Sequence, residues 1–313
     1  MTTGWRAPGT AAAVCLTVDD VHPTREDPSR PVGDTARRSL QHLEWLLGRH
    51  PTLKATLFCT PDWRLRPSDA AHRERRSSGG GDSARARDSV PAHGTARLDR
   101  HPEFVAYLLG LPRVEFALHG LFHRRRGLAR ITEFEGRTEA QCRRLLKAAM
   151  QVTRNAGLPI VPGLTPPNWL APDALLRAMA DLGMEFVASA RDLDTAVSPD
   201  ARSTGSGMSG VSLIYPQRLP YGDVVHFTTN FQATSATSRA LDILDHGGLV
   251  AIKAHIFKQF GPYVALDGLD LVYAEFLHRL LSTIEDRHGT QVWWTTMGEI
   301  ARQWRTVSAG EVA

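Results

Sequence analysis

Residues 11–20 read AAAVCLTVDD, an apolar run that ends directly in two adjacent carboxylates, Asp19 and Asp20. The length and composition of Ala11 to Val18 predict a buried strand. Two like charges side by side repel each other and need a cation or a proton close by. A buried strand does not itself need such an ending, so the Asp19–Asp20 pair marks the first candidate functional position.

Apolar runs of similar length recur along the chain and alternate with segments of helical periodicity. Further strands are predicted at Leu53–Cys59, Arg113–Leu118, Pro159–Leu164, Glu185–Ser189, Val211–Tyr215, Asp223–Thr228, Gly248–Ala254 and Gln291–Trp294. Helices are predicted at Val32–Arg49, Pro102–Gly110, Thr138–Ala156, Pro172–Leu182, Ser235–Leu244, Leu269–Arg287 and Met297–Arg305. Continuously apolar strands are typical of a parallel sheet that is covered on both faces. We therefore predict an α/β fold built as one distorted or incomplete (β/α) barrel with parallel strands.

The chain of 313 residues shows no internal repeat and no linker, which predicts a single domain over residues 1–313. Residues 64–100 interrupt the alternation of strands and helices, because they are rich in Ser, Gly and Arg and contain few large apolar side chains. Such a segment cannot supply a core, so we predict a flexible surface insertion there. A mobile lid and a solvated loop are both compatible with this composition.

The overall composition, with 42% hydrophobic and 22% charged residues, is that of an ordinary soluble globular protein. The net charge is +4, but the basic residues form no dense stripe with interleaved aromatics, so no nucleic-acid partner is expected. Residues 1–10 lack the pattern of a signal peptide, and the apolar runs are too short to span a membrane. We therefore expect a cytoplasmic protein with no membrane partner, and the oligomeric state stays open.

Polar residues that can do chemistry follow the predicted strands at their carboxyl ends. In a (β/α) barrel these ends meet at one mouth, where the active site lies. The groups found there are Asp19 with Asp20, His119 with His123, residues 165–169 (TPPNW), Arg191 with Asp192 and Asp194, and His255. Core packing alone does not explain this concentration of carboxylates and imidazoles.

His119 and His123 have the spacing at which one helical turn or a tight loop brings both imidazoles to the same point. Two neutral imidazoles and a carboxylate form the open three-ligand site of a catalytic zinc, with water in the remaining position. A second carboxylate nearby can then accept the proton of that water. The alternative is a pair of hydrogen-bonded surface histidines, and the Asp19–Asp20 pair favours the metal site over it.

Several short stretches together resemble one known family. They are TVDDVHP (17–23), HGLFH (119–123), EFEG (133–136), TPPNW (165–169) and IKAHI (252–256). Their order and their positions at strand ends resemble the polysaccharide deacetylase superfamily (NodB homology, carbohydrate esterase family four), and more closely its divergent, deacetylase-like branch. The resemblance spans most of the chain and implies the same type of barrel.

The resemblance also implies a role for each matched position. Asp20, His119 and His123 match the ligands of a divalent metal, and the metal implied in the first place is zinc. Asp19 matches the general base that activates water. His255 matches the histidine that protonates the leaving amine.

On the substrate side, residues 166–169 match the loop that shapes the acetyl pocket and helps to hold the oxyanion through a backbone N–H. The candidate substrate-binding residues are Pro167, Asn168, Trp169, Glu133, Glu135 and His22. The two glutamates have an alternative role near the start of the following helix, where acidic residues suit the helix dipole. The alternative for His22 is a loop position that faces solvent.

The chain departs from the family pattern in the residues that support the base and the acid. The arginine that precedes Pro-Pro in the family, and pairs with the base, is Thr165 here. Arg191, at another strand end, is the candidate that would pair with Asp19 instead. Asp192 and Asp194 are both candidates for the carboxylate that supports the acid histidine, and Asp194 is preferred.

The predicted function is a metal-dependent hydrolase that removes an N-acyl group, acetyl in the first place, from a small amino sugar or a related metabolite. Two alternatives stay open. One is a barrel without catalytic activity that binds a carbohydrate or a protein, which the Thr165 departure favours and the complete set of matched catalytic positions opposes. The other is a metal hydrolase that acts on a different C–N bond.

Overall fold

The chain folds around β1 (Ala12–Val21), a strand of 10 residues that are all buried. The computed structural model describes residues 4–23, 35–64, 94–123, 132–257, 259–260 and 263–310. Parallel strands pair with β1 along its length, and helices cover the sheet, so both faces of the strand are buried. β1 extends beyond its predicted end at Val18, since the pairing continues through Asp19 to Val21.

The other strands are β2 (Ala55–Cys59), β3 (Val114–Leu118), β4 (Ile160–Leu164), β5 (Phe186–Arg191), β6 (Ser206–Gly207), β7 (Gln217–Arg218), β8 (Val225–Thr229), β9 (Leu249–His255), β10 (Gln259–Phe260), β11 (Tyr263–Val264) and β12 (Val292–Trp294). The helices are α1 (Thr35–Arg49), α2 (Pro102–Leu109), α3 (Glu139–Asn155), α4 (Asp173–Asp181), α5 (Thr237–Asp245), α6 (Leu271–His288) and α7 (Met297–Gly310). In the part of the chain that the structure describes, no helix is both long and apolar enough to cross a membrane.

The main sheet has the order β12–β1–β2–β3–β4–β5–β8–β7, and β9 also pairs with β1. The longer strands are parallel to their neighbours, and only the two-residue strands β6 and β7 pair antiparallel with this sheet. Helices in the connections return the chain to the starting edge of each next parallel strand, as this topology requires. The predicted α/β architecture with parallel strands is therefore confirmed.

The barrel is incomplete between β8 and β9, because no strand ladder joins them within the described residues. One isolated parallel bridge, Phe231–Ile252, crosses this gap. The side chain of Asn230 crosses it as well: its amide nitrogen donates to the carbonyl of Leu249 at 2.9 Å, and its amide oxygen accepts from the backbone N–H of Ala251 at 2.9 Å. Asn230 thus supplies part of the hydrogen bonding that a ladder supplies elsewhere.

The side chains inside the barrel are stacked in layers. On β9, Leu249 and Ala251 belong to an inner apolar cluster that also contains Phe58 and Phe227. Because side chains alternate along a strand, Lys253 and His255 lie on the same face of β9 as this cluster. The inner face therefore changes from apolar to charged as β9 approaches the mouth of the barrel.

One predicted strand, Val211–Tyr215, is not formed. The segment makes single hydrogen bonds, such as the one from the N–H of Leu213 to the carbonyl of Ala201 at 2.9 Å, and no ladder. Its apolar residues Leu213 and Ile214 are buried in the core instead. The apolar run therefore reflects burial of a loop, which a periodicity argument cannot distinguish from a short buried strand.

The predicted insertion at residues 64–100 lies largely outside the described residues, which end at Arg64 and resume at Gly94. Its C-terminal end belongs to the core, because Leu98 is fully buried in a 3₁₀ turn and Arg97 forms a bridge with Asp62. The expectation that this end supplies nothing to the core is therefore wrong.

Candidate metal centre

The carboxylate of Asp20 and the imidazoles of His119 and His123 converge at the mouth of the barrel. The Oδ1 atom of Asp20 lies 3.1 Å from Nε2 of His119 and 3.3 Å from Nε2 of His123. The three donor atoms all lie within 4.8 Å of one another, and the described residues contain no other such group of His, Cys, Asp or Glu. The structure thus brings together the three residues that the sequence predicted as metal ligands.

This donor set fits a divalent metal such as zinc. Ligand atoms of a tetrahedral zinc site lie about 3.4 Å from one another, which is close to the Asp20–His119 and Asp20–His123 separations. Oδ1 of Asp20 is buried and has no hydrogen-bond partner among the described residues. A buried carboxylate oxygen without a donor is costly unless a cation satisfies it, and the geometry of the three donors suits one.

His119 is held in the orientation that a metal ligand requires. Its Nδ1–H donates to the backbone carbonyl of Thr165 at 2.7 Å, which leaves the lone pair of Nε2 directed at Asp20. The hydroxyl of Thr165 donates in turn to the carbonyl of Ala188 at 2.7 Å. Thr165 therefore supports the site through its backbone, although its side chain departs from the family pattern.

His123 is oriented by stacking. Its ring lies 4.9 Å from the ring of Trp63, and Trp63 stacks on its other side against His22 at 3.9 Å between ring centres. Phe257 meets the ring of Trp63 edge-on. Sequence reasoning missed Trp63, although TPDW at the end of β2 places it at a strand end like the other site residues.

His22 is buried and does not face solvent. Its Nδ1–H donates to the backbone carbonyl of Asp20 at 2.6 Å, and its ring packs between Trp63 and Phe257. These contacts give His22 a supporting position behind Asp20, and its contact with substrate stays a prediction.

The protonation states of the site suit metal binding. Burial lowers the pKa of His123 to about 4 and that of His22 to about 4, so both imidazoles are neutral at pH 7. Burial alone would raise the pKa of the Asp20 carboxyl, but the nearby imidazoles of His123, His119 and His255 outweigh it and hold that pKa well below its usual range. The site therefore presents a carboxylate with neutral His123.

Asp19 forms a buried ion pair with Lys253, whose ammonium donates to Oδ2 of Asp19. The prediction that Arg191 pairs with Asp19 is wrong, because the Nε–H of Arg191 donates to the side chain of Gln232 at 3.0 Å. The reason lies in the sheet order: β9, which carries Lys253, runs beside β1, whereas Arg191 ends β5.

His255 is supported by Asp267, with Nδ1 of the imidazole 2.9 Å from Oδ1 of the carboxylate. Burial works to lower the pKa of His255, but the charge of Asp267 outweighs it, so the pKa is raised; the pKa of Asp267 is lowered by the same pairing. Neither Asp192 nor Asp194 fills this position. The Asp192 carboxylate accepts backbone N–H groups of its own loop, including that of Asp194 at 3.1 Å and that of Thr204 at 2.7 Å.

Glu133 organises the loop that carries the two metal-site histidines. Its carboxylate accepts the backbone N–H groups of Leu121, Phe122 and His123 at 2.9, 3.2 and 3.0 Å. Gly120 has φ +69°, and a Cβ there would lie 2.5 Å from Oε2 of Glu133. These bonds give the Glu133 carboxylate a structural role in the loop, and its role in substrate binding stays a prediction.

Glu135 also has a structural role, since its carboxylate accepts the backbone N–H of Thr132 at 3.0 Å. The side chain of Glu135 is exposed and closes a turn ahead of α3. Its predicted contact with substrate has no support in this geometry. The helix itself begins with a capping box between Thr138 and Gln141, so its start does not depend on this acidic residue.

The loop at Pro167–Trp169 lies beside the Asp19–Lys253 pair. Nζ of Lys253 lies 4.9 Å from the centre of the Trp169 ring, and the guanidinium of Arg191 lies 5.5 Å from it. Asn168 and Trp169 both have φ +59°. The structure thus places the side chain of Trp169 at the mouth, as the sequence predicted.

Backbone strain is concentrated in this site. The described chain contains five non-glycine residues with positive φ, and four of them are Asp20, His123, Asn168 and Trp169. Each such conformation costs of the order of 1 kcal/mol or more and persists only where surrounding structure imposes it. Strain at two of the three metal-donor residues and in the Pro167–Trp169 loop is typical of a preorganised functional site.

The fold has counterparts among solved structures. A putative polysaccharide deacetylase from Mycobacterium smegmatis superposes with a TM-score of 0.57 at 15% identity, over 97% of this chain and 93% of that one. A 4-alpha-glucanotransferase from Thermococcus litoralis superposes with a TM-score of 0.54 at 10% identity, over 94% of this chain and 40% of that one. A carbohydrate esterase family four pseudoenzyme from Bacillus anthracis superposes with a TM-score of 0.47 at 11% identity, over 94% of this chain and 66% of that one.

No family model matches the chain, and no curated protein is similar to it in sequence. The structural likeness defines the class: this is an α/β protein with the fold of the polysaccharide deacetylases. The resemblance predicted from the sequence motifs is therefore confirmed at the level of the fold.

Proposed function

We propose that this protein is a metal-dependent hydrolase that removes an N-acyl group, acetyl in the first place, from a small amino sugar or a related metabolite. The observation that carries the proposal is the donor set of Asp20, His119 and His123, with Asp19 next to Asp20 in the chain and Nε2 of His255 4.0 Å from Oδ2 of Asp20. A divalent metal, zinc in the first place, is the proposed cofactor.

A metal held by these three residues would lower the pKa of a bound water and polarise the acyl oxygen. Asp19 is the proposed general base, because its carboxylate adjoins the donor set and is kept in place by Lys253. Its task is to accept the proton of the attacking water.

His255 is the proposed general acid. Its Nε2 lies 4.0 Å from Oδ2 of Asp20, so the ring faces the same cavity as the metal donors, and Asp267 holds it from behind. An amine leaves an acyl group only when its nitrogen receives a proton, which an imidazolium in this position delivers. Amide hydrolysis requires both a base and an acid, and Asp19 and His255 are the proposed pair.

The substrate class is supported by the mouth of the barrel and by the fold. Trp169 is partly exposed at the mouth, and an aromatic ring there suits contact with a sugar ring. The structure from Mycobacterium smegmatis is called a putative polysaccharide deacetylase, which supports an N-acylated carbohydrate as the type of substrate. The peptide N–H of Asn168 is the proposed donor to the oxyanion.

The first test is metal content. Purified protein reconstituted with Zn²⁺ should hold close to one equivalent, and His119→Ala should hold little. Amine release is then measured on a panel of N-acetylated sugars and small metabolites, with Asp19→Asn as the control. Absence of stoichiometric metal from the wild type, or undiminished activity in Asp19→Asn, would contradict the proposal.

A protein that binds metal and carbohydrate but releases no amine from any member of the panel would favour the non-catalytic alternative. The observation behind that alternative is Thr165 in place of the family's arginine. A panel that includes other amides tests the remaining alternative, hydrolysis of a different C–N bond.

A further inference from the structure

Lys253 is the most deeply buried charge of the barrel interior. Its side chain is 1% exposed, and it lies on the inner face of β9, directly above an apolar layer that contains Ala251. The chain has only four lysines, and the other three are Lys54, Lys147 and Lys258. An apolar residue in this layer would avoid the cost of burying an ammonium, so the packing of the barrel does not explain Lys253.

The ammonium of Lys253 is held by two groups of the site. It donates to Oδ2 of Asp19, and it lies 4.9 Å from the centre of the Trp169 ring, which covers it from the side of the mouth. Its backbone is held as well: the N–H donates to the carbonyl of Phe231 at 2.9 Å, and the hydroxyl of Tyr273 donates to its carbonyl at 2.6 Å. Lys253 is therefore a rigid anchor.

A buried ion pair of this kind is weak evidence for stability, because its desolvation offsets most of its attraction. Its effect on the neighbouring carboxylates is clearer. Asp19 and Asp20 are adjacent in sequence, and Asp20, with φ +64°, lies against the imidazoles of His119 and His123. Without an anchor, Asp19 would be a second anionic ligand within reach of a cation bound at Asp20.

We infer that Lys253 is a positioning residue that keeps the carboxylate of Asp19 from joining Asp20, His119 and His123 as an additional ligand of the metal, and so leaves it free to act as the base. This inference rests on the proposed metal-dependent function and deepens it. It assigns the two adjacent aspartates their separate tasks: Asp20 faces the imidazoles of His119 and His123, and Asp19 is tied to the ammonium. Lys253 also supplies the cation that the Thr165 departure removes.

The inference is tested in the Co²⁺-substituted protein, whose visible absorption weakens when the coordination number rises above four. Lys253→Met has nearly the same shape and no charge. It should weaken the absorption, because the freed Asp19 carboxylate joins the metal. The double variant Asp19→Asn/Lys253→Met removes that carboxylate and should return the spectrum to the wild-type form. Lys253→Arg should keep the wild-type spectrum.

The matched control is Lys54→Met. Lys54 pairs with Glu299 at 2.6 Å, about one-third exposed and away from the mouth. This variant should keep both the spectrum and the activity of the wild type.

Activity gives an independent readout. With Zn²⁺ bound, Lys253→Met should lose about 100-fold in kcat with KM little changed, since general base catalysis is worth about that much. Lys253→Arg should recover most of the loss. If Lys253 had a purely structural role, Lys253→Arg would not recover kcat, and the double variant would not restore the Co²⁺ spectrum that Lys253→Met changes.

A wild-type spectrum in Lys253→Met would overturn the inference, as would a weakened spectrum that persists in the double variant. If Lys253→Met does not fold, Lys253→Gln, which is also uncharged and is smaller, takes its place in the same comparison. If the wild type releases no amine, the proposed function fails, whereas the Co²⁺ comparison still decides the role of Lys253.

Discussion

Nδ1 of His255 lies 2.9 Å from Oδ1 of Asp267, and the backbone of the Asp267 segment runs alongside His255 through hydrogen bonds in both directions. The carboxylate therefore fixes both the position and the tautomer of the imidazole, so that Nε2 faces the metal donors. Sequence reasoning placed this supporting carboxylate at Asp192 or Asp194, on the loop that follows β5.

Asp267→Asn should lower kcat about 100-fold, because Asn neither orients the imidazole in the same tautomer nor stabilises its protonated form. Zinc content should stay at the wild-type level, since Asp267 does not belong to the donor set. The matched control is Asp245→Asn, at an exposed pair with Arg287, which should leave kcat unchanged. Equal kcat in Asp267→Asn and the wild type would show that His255 is not the acid.

Trp63→Leu should weaken zinc binding about 10- to 100-fold, the usual effect of removing a group that orients a metal ligand. The ring of His123 then loses the face against which it stacks at 4.9 Å. Competition with a chromophoric chelator measures the affinity. Trp45→Leu is the control. Trp45 lies on α1 and packs against His278 of α6, so this variant should leave the zinc affinity unchanged.

Gly120→Ala should abolish stoichiometric metal binding. The new Cβ meets Oε2 of Glu133 at 2.5 Å and φ is +69°, so the loop that carries His123 has to move. We expect a loss of at least about 1–3 kcal/mol in the free energy of unfolding. Gly183→Ala has nearly the same φ, +67°, but nothing within 4 Å of its Cβ. It should cost about 1–2 kcal/mol from the backbone alone and keep its metal; loss of metal in both variants would refute the steric explanation.

His226 predicts a pH dependence of stability. Its side chain is fully buried on β8, neither ring nitrogen has a partner among the described residues, and burial lowers its pKa to about 3. Below the unfolded pKa of about 6.5 the unfolded chain binds a proton that the folded chain does not, so stability falls as the pH falls toward 3. This single group should contribute about 2–3 kcal/mol of loss by pH 4.5.

His226→Leu should therefore flatten the pH dependence of the free energy of unfolding between pH 6.5 and 4.5. Urea titrations of the metal-free protein measure it without a contribution from metal release. His246→Leu, at an exposed histidine, should retain the wild-type slope. An unchanged slope in His226→Leu would mean that the folded protein admits a proton at this position.

The metal donor set was accessible to sequence reasoning because its signals are local. His119 and His123 are close in the chain, and Asp20 stands at the end of an apolar run. The residues that support this set were not accessible in the same way. Trp63 also lies at a strand end, but a tryptophan there is typical of a core residue in the sequence. Only the structure shows that it stacks on His123.

The ion pairs that support the site show most clearly what could not be predicted from the sequence. Lys253 is 234 residues from Asp19, and its side chain reaches Asp19 only because β9 pairs with β1 in the register that sets His255 level with Asp19. A shift of that register by one residue would point Lys253 out of the barrel. Arg191 was wrongly expected to pair with Asp19 because strand ends identify the mouth of the barrel but do not show which strands are neighbours.

Glu133 and Glu135 show a second kind of information that the sequence motifs do not contain. Their place in EFEG suggested contact with substrate, whereas Glu133 is occupied by three backbone N–H groups of the loop that contains Gly120. A short motif can identify a functionally relevant residue, but it does not show whether that residue binds the substrate or stabilises the loop.

By itself, then, the sequence determined the alternation of strands and helices, the parallel α/β architecture and the three candidate ligands. The architecture follows from periodicity, and the position of the site follows from the meeting of strand ends at one mouth. The choice of Asp20 as the third ligand follows from the resemblance to the polysaccharide deacetylase superfamily. Only the tertiary structure decided which charges neutralise one another: Lys253 for Asp19 and Asp267 for His255. Electrostatic pairing depends on distances of a few ångströms between strands and loops that are remote in the chain, and those distances are set by sheet order and register.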